Sequence, residues 1–104
     1  MTSPTQRSLA HLRAAGYLVA VVERWNPHAR IRQDLYGFID LLAVRDGEVL
    51  AVQACAGSSV SARVHKITEH ENLGAVRKAG IRIHVHGWRK GANGRWALRE
   101  VDLS

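Results

Sequence analysis

The sequence predicts an α/β domain in which helix, three strands, helix and two strands build a mixed central sheet flanked by helices. Three observations carry that expectation. Residues 37–56, GFIDLLAVRDGEVLAVQACA, hold two apolar β-rich runs split by Asp46-Gly47, among the strongest short-range hairpin signals. From Val60 the period becomes helical, with Val60, Val64 and Ile67 at i, i+4 and i+7. A hairpin supplies an antiparallel pair, and a crossover helix after it returns the chain to the sheet. At 104 residues there is room for one modest core, so residues 1–104 are expected to form a single domain.

Each element has a local reason. Ser3 is a good N-cap, Pro4 suits the first helical position and Gln6 completes a capping box. Leu9, Ala10 and Leu12 supply that helix with an apolar face, and Gly16 stops it. Residues 17–25, YLVAVVERW, read as a strand, and 26–34, broken by Pro27, as a loop. The hairpin follows. The helix from Val60 is expected to break at 68–72, where apolar periodicity fails, and to resume over 73–80 until Gly80. Residues 81–88 alternate as a strand should, 89–95 form a basic Gly-rich turn, and 96–103 are a last strand.

Apolar residues make up 46% of the chain, which argues against disorder. No apolar run approaches a membrane span and the N-terminus lacks an apolar signal segment, so no membrane partner and a cytoplasmic home are expected. Cys55 is the only cysteine, which excludes an intrachain disulfide and a Cys-rich zinc site. Fifteen Lys+Arg against 9 Asp+Glu give a net charge of +6, and 12 of the 15 are arginine. Arginine's planar fork suits bidentate contact with phosphate, so the balance favours a nucleic-acid partner.

Two polar residues interrupt the apolar hairpin. With Asp46 and Gly47 as the turn, Arg45 pairs with Glu48 and Asp40 falls opposite Gln53, with Cys55 on the same face. Ile39, Leu41, Ala43, Leu50, Val52 and Ala54 make the other, apolar face. A lone carboxylate in apolar surroundings costs several kcal/mol unless it is paired. Either Gln53 donates an amide hydrogen bond to Asp40, or an arginine neutralises it, or the pair belongs to a hard-cation site, where a carboxylate, amide or carbonyl oxygens and water suit Mg²⁺.

With RIRQDLYGFIDLLAV and VLAVQAC in this order of elements, the chain resembles the PD-(D/E)XK nuclease superfamily, and within it small Holliday junction resolvase-like and phage nuclease-like proteins. The resemblance implies a restriction-endonuclease-like αβββαβ core. It makes Asp40 of Gly-Phe-Ile-Asp the first metal-binding acid and puts Gln53-Ala54-Cys55 where the family carries Glu-x-Lys. Glutamine offers an oxygen without charge, and Cys55 cannot act as a cation. A lysine that has migrated to the following helix is a pattern of the superfamily, and Lys66, one turn after Arg63, can snorkel over the apolar stripe toward Asp40. Gln6 stands near the place of the family's helix-1 glutamate and reads as a cap. Glu23 is the remaining acid able to approach Asp40; Asp34 is another, or else only terminates the loop three residues before Gly37.

The expectation is a Mg²⁺- or Mn²⁺-dependent DNA endonuclease, structure-specific and resolvase-like, dimeric if that analogy holds, and resident in a host cytoplasm if phage-encoded. Asp40, Gln53 and Lys66 are its catalytic set; Asp40, Gln53, the Ala54 carbonyl and Glu23 are its metal ligands; Arg24, Arg30, Arg32 and Arg63 hold the DNA backbone. The alternatives are a DNA-binding module that keeps the fold without the chemistry, and a basic partner-binding protein. His84 and His86 alternate on one strand with no third ligand evident, which favours exposed or structural histidines. Trp25, Trp88 and Trp96 are expected at the core or its rim, and Cys55 as a buried, inert thiol.

Overall fold

The computed structural model describes residues 2–104. Helix α1 (Pro4–Ala14) opens on the expected capping box: Ser3 Oγ accepts the Gln6 N–H at 3.2 Å and Gln6 Oε1 accepts the Ser3 N–H at 3.1 Å. Gly16, at φ +91, ends it. Leu12 and Ser8 form the buried side, with Leu9 partly buried. Ala10 was expected on that face but is exposed, because it lies off the i, i+4 line that joins Ser8 to Leu12.

The run 17–25 is not one strand. Strand β1 (Leu18–Val21) ends before Val22, and β2 (Arg24–Asn26) leaves the sheet to pair with β3 (Ile31–Gln33) as a separate antiparallel ribbon. Most of the expected loop 26–34 is therefore the turn and return strand of that ribbon. Pro27 sits in the turn, where Asn26 Oδ1 accepts the N–H groups of His28 and Ala29 at 3.0 and 3.1 Å, and Arg30 adopts φ +55. Three-residue strands whose side chains are nearly all exposed carry no alternation for a sequence pattern to reveal.

The main sheet has the order β1-β4-β5-β6-β7, where β4 is Leu41–Arg45, β5 Glu48–Ala56, β6 Arg82–Lys90 and β7 Trp96–Asp102. β5 and β6 run parallel and the other neighbours antiparallel, so the fold is α/β with a mixed sheet. The hairpin register is the expected one, from Arg45↔Glu48 to Leu41↔Val52. One 3-10 turn leads into α2 (Val60–Thr68), the chain breaks, and α3 (Leu73–Lys78) returns it to β6. With the ribbon set aside, the elements follow the αβββαβ order, α3 continuing α2 and β7 adding an edge. Among the described residues no helix is long and apolar enough to cross a membrane.

Each face of the sheet has its own core. Leu12 and Val19 pack with Leu41, Ala43, Leu50 and Val52 beneath α1. Phe38, Ile39, Ala51, Cys55, Ile83 and Val85 pack with Val60, Ile67, Leu73 and Val76 of α2 and α3. Ile39 was expected on the face of Leu41. It joins the opposite core because the β4–β5 ladder stops at Leu41 and a Leu35↔Ile39 bridge turns the chain there. Cys55 is a buried thiol, as expected.

Of the tryptophans, Trp88 is partly buried and donates its indole N–H to Ser8 Oγ at 2.9 Å. Trp96 lies at the rim with Arg7 stacked 3.8 Å from its ring centroid. Trp25 was expected to pack at the core or rim, but the ribbon carries it away from the core and leaves it 61% exposed.

α2 approaches β6 closely enough that a Cβ on Gly87 would collide with Val60 Cγ2, with the Gly57 backbone behind it. Gly87→Ala therefore forces a shift of the packed α2–β6 contact, and a loss of about 1–3 kcal/mol is expected. Chemical denaturation against wild type measures it, and an unchanged midpoint refutes the close packing.

Candidate functional site

Asp40 precedes β4 by one residue, at the end of a tight turn. Gly37 N–H bonds the Asp34 carbonyl at 3.0 Å, Ile39 N–H bonds the Leu35 carbonyl at 3.0 Å, and Gly37 takes φ +90. A Cβ on Gly37 would strike the His70 imidazole. The spacing Gly-x-x-Asp thus has a local cause, since glycine takes this left-handed φ without strain, leaves room for His70 between α2 and α3, and lets the turn deliver Asp40 to the sheet. The Asp40 backbone is then fixed on both sides, its N–H to the Val52 carbonyl at 3.0 Å and its carbonyl to the Val22 N–H at 2.8 Å.

Asp40 is 4% exposed, and its Oδ2 accepts the Gln53 amide at 2.8 Å and the Ala54 N–H at 2.9 Å. The same Gln53 Nε2 donates to Asp34 Oδ2 at 3.3 Å. Lys66 arches back from α2 so that Nζ lies 3.4 Å from Gln53 Oε1 and 3.5 Å from Asp34 Oδ2. Glu23 completes a carboxylate cluster: oxygens of Glu23, Asp34 and Asp40 all lie within 4.8 Å of one another. Arg32 Nη1 sits 3.2 Å from Glu23 Oε1. These groups, with Arg63, Ala54 and Thr5, line an open cleft of about 300 Å³.

Burial, and then the Asp34 carboxyl beside it, push Asp40 up to about 7, against the Ala54 and Gln53 hydrogen bonds that favour its ionised form. Near neutral pH this carboxyl is balanced between holding a proton and losing it. A divalent cation can take that proton's place among three oxygens, which is the chemistry a Mg²⁺ site asks of its ligands. Lys66, Arg32 and Arg63 leave positive charge at the rim for an anionic ligand.

The cleft gathers Asp40, Gln53, Ala54, Lys66, Glu23, Arg32 and Arg63. Arg24 and Arg30 do not line it; both are exposed on the ribbon. Two ligand roles look different in the structure: Gln53 turns its amide nitrogen, not its oxygen, to the carboxylates, and Ala54 meets Asp40 through its N–H. Asp34, noted in the sequence only as a further acid near the loop's end, is central. Its one sequence signal was an acid three residues before a glycine that must turn the chain.

A second group of titratable side chains lies on the opposite, α1 face. His86 is 1% exposed, not at the surface, and its Nδ1 is 2.9 Å from Ser8 Oγ. Burial, and then the neighbouring His11 and His84, lower its pKa to about 4. Compared with protein-family models, with curated proteins and with solved structures, the chain matches none.

Proposed function

We propose that the chain is a divalent-metal-dependent DNA endonuclease of the PD-(D/E)XK kind. The observation that carries the reading is that Asp40, Gln53 and Lys66 meet in one cleft, with two more carboxylates, on an α/β framework of αβββαβ order. The Gln53 in place of an acid is offset by Asp34, whose Oδ2 lies 3.3 Å from the Gln53 amide and supplies the missing negative charge.

Asp34, Asp40 and Glu23 would hold Mg²⁺ or Mn²⁺, which when bound acidifies water and neutralises charge on a phosphoryl group. The chain's own residues do the rest. Gln53 holds Asp34 and Asp40 in register through one amide nitrogen. Lys66 places its ammonium beside them, where it can meet a phosphate oxygen or orient the attacking water. Arg63 and Arg32 receive the flanking backbone, and Arg24 and Arg30 extend the basic track onto the ribbon. A resolvase-like substrate would call for two such clefts and so for a homodimer, working on DNA in the cytoplasm.

A DNA-binding module without chemistry is favoured by a different observation: Gln53 and Lys66 already satisfy the carboxylates of Asp34 and Asp40 without a metal ion. Cleavage of duplex, single-stranded, branched and flapped DNA with Mg²⁺ or Mn²⁺ separates the two readings. No cleavage of any substrate leaves only binding.

Binding itself has a measurable signature. Affinity for a fluorescent duplex is expected to fall steeply with salt and to show little sequence preference, because the contacts are to phosphate. Arg24→Ala and Arg30→Ala should each flatten the log–log salt slope by about 1 and weaken all sequences alike. Affinity indifferent to salt refutes backbone binding.

A further inference from the structure

We propose that His84, His86 and Glu100 form a second metal site, for a divalent transition metal of zinc's class, on the α1 face of the sheet. Among the described residues, two buried side-chain polar atoms lack a hydrogen-bond partner: His84 Nδ1 and His86 Nε2. They belong to adjacent histidines of one cluster. One ligand atom from each of His84, His86 and Glu100 lies within 4.8 Å of the others. Two neighbouring imidazole nitrogens without partners, beside a carboxylate, are what a metal site looks like before the metal arrives.

The fold explains the convergence. His84 and His86 alternate along β6 and so share a face. Antiparallel pairing sets Glu100 of β7 directly opposite His86. Glu100 Oε2 then stands 3.4 Å from His84 Nδ1. Glu100 keeps 44% of its side chain exposed, which gives a metal ion a way in. The third ligand comes from strand pairing, not from spacing along the chain.

The surroundings suit metal-bound imidazole. His86 Nδ1 meets Ser8 Oγ at 2.9 Å, leaving Nε2 to face the cluster. Ser8 Oγ also accepts the Trp88 indole N–H at 2.9 Å, so the hydroxyl is held in place and has a second lone pair for His86 Nδ1–H. Metal-ligating histidines usually carry such a partner on the far nitrogen, which fixes ring and tautomer. His11 of α1 stands at the rim of the cluster, Nε2 3.7 Å from Glu100 Oε1. Two imidazoles and one carboxylate select a borderline metal such as Zn²⁺ over Mg²⁺. The acidic cleft, all oxygen and on the α2 side of β5, has the opposite preference.

The test uses the untagged full chain, stripped with chelator and titrated with Zn²⁺ by calorimetry in excess Mg²⁺. Co²⁺ is titrated in parallel as a visible-absorption probe. One equivalent is expected to bind, with Co²⁺ bands of a four- or five-coordinate site. His84→Ala and Glu100→Gln, both at partly open positions and checked for folding by circular dichroism, should weaken binding at least about tenfold. Asp40→Asn, in the other cleft, should leave it unchanged. The proposal is overturned by no Zn²⁺ binding above buffer, or by undiminished binding in either His84→Ala or Glu100→Gln. The outcome is independent of nuclease activity.

Discussion

Asp40→Asn is expected to abolish metal-dependent cleavage, by more than about 100-fold, and to make the metal-free protein more stable at pH 8. Both effects come from one carboxyl. Losing it removes the most buried of the three carboxylates proposed to hold the metal, and a charge that a cation needs. It also removes a cost. Asp40 titrates near 7 when folded and near its ordinary 3.8 when unfolded. The folded state therefore binds the proton more tightly. Its contribution to stability is full below about pH 4, declines as pH rises toward 7, and is gone above. Carrying the ionised carboxyl into the fold therefore costs stability at pH 8, on the order of a few kcal/mol.

Asparagine is isosteric and uncharged. Its oxygen can accept from the Gln53 amide and the Ala54 N–H, and its nitrogen can donate to Asp34. The pH dependence must be read as a difference between wild type and variant, because His86 acts in the opposite sense. Its pKa is lowered to about 4 in the folded state, so its contribution is present above the unfolded value near 6.5 and is lost as pH falls toward 4. The two trends oppose each other in wild type. In the difference only Asp40 remains, and the variant's advantage in EDTA should grow from pH 4 to 7 and then level off. Mg²⁺ should narrow it by stabilising wild type alone. A variant that melts far below wild type at pH 8 makes Asp40 a structural anchor, and a variant that still cleaves removes it from the chemistry.

What the sequence made legible was whatever depends on neighbours along the chain. The capping box at Ser3 and Gln6, the register of the Asp46-Gly47 hairpin and the Val60 stripe are all short-range, and each holds in the structure. The meeting of Asp40 with Gln53 followed from that register, and Lys66 followed from helix geometry. The rest depends on chain segments that local pattern does not join. Ribbon β2–β3 is too short and too exposed to show a period, so it read as strand end and loop. Asp34 gains its importance only when the Gly37 turn folds it back on Gln53. Glu100 reaches His84 and His86 only through the β6–β7 pairing, so nothing along the chain marks it as their third partner. Ile39 changed cores because a ladder ended one residue earlier than alternation implied.

Lys66→Ala is expected to reduce cleavage by about 100-fold while Cys55→Ser leaves it nearly unchanged. Phosphodiester hydrolysis needs positive charge beside the phosphate under attack, and two positions compete to supply it. Position 55 holds a thiol that is 4% exposed, packed with Val60 and Ala51, and pushed up in pKa first by burial. It offers no cation and no open path to a ligand. Lys66 places Nζ 3.5 Å from Asp34 Oδ2 and 3.4 Å from Gln53 Oε1, on the lining of the cleft that holds Asp40. Its side chain stays 39% exposed, so the ion pair with Asp34 contributes no more than about 1 kcal/mol, and Lys66→Ala should fold normally. Cys55→Ser has the reverse profile: a hydroxyl in an apolar core costs about 1–3 kcal/mol of stability without touching the cleft. Activity and thermal stability therefore separate the two residues in opposite directions. Lys66→Arg should retain part of the activity, since the charge survives in a shape that fits the position less well. Full cleavage by Lys66→Ala would move the cationic role to Arg63, the other basic residue that α2 presents to the cleft.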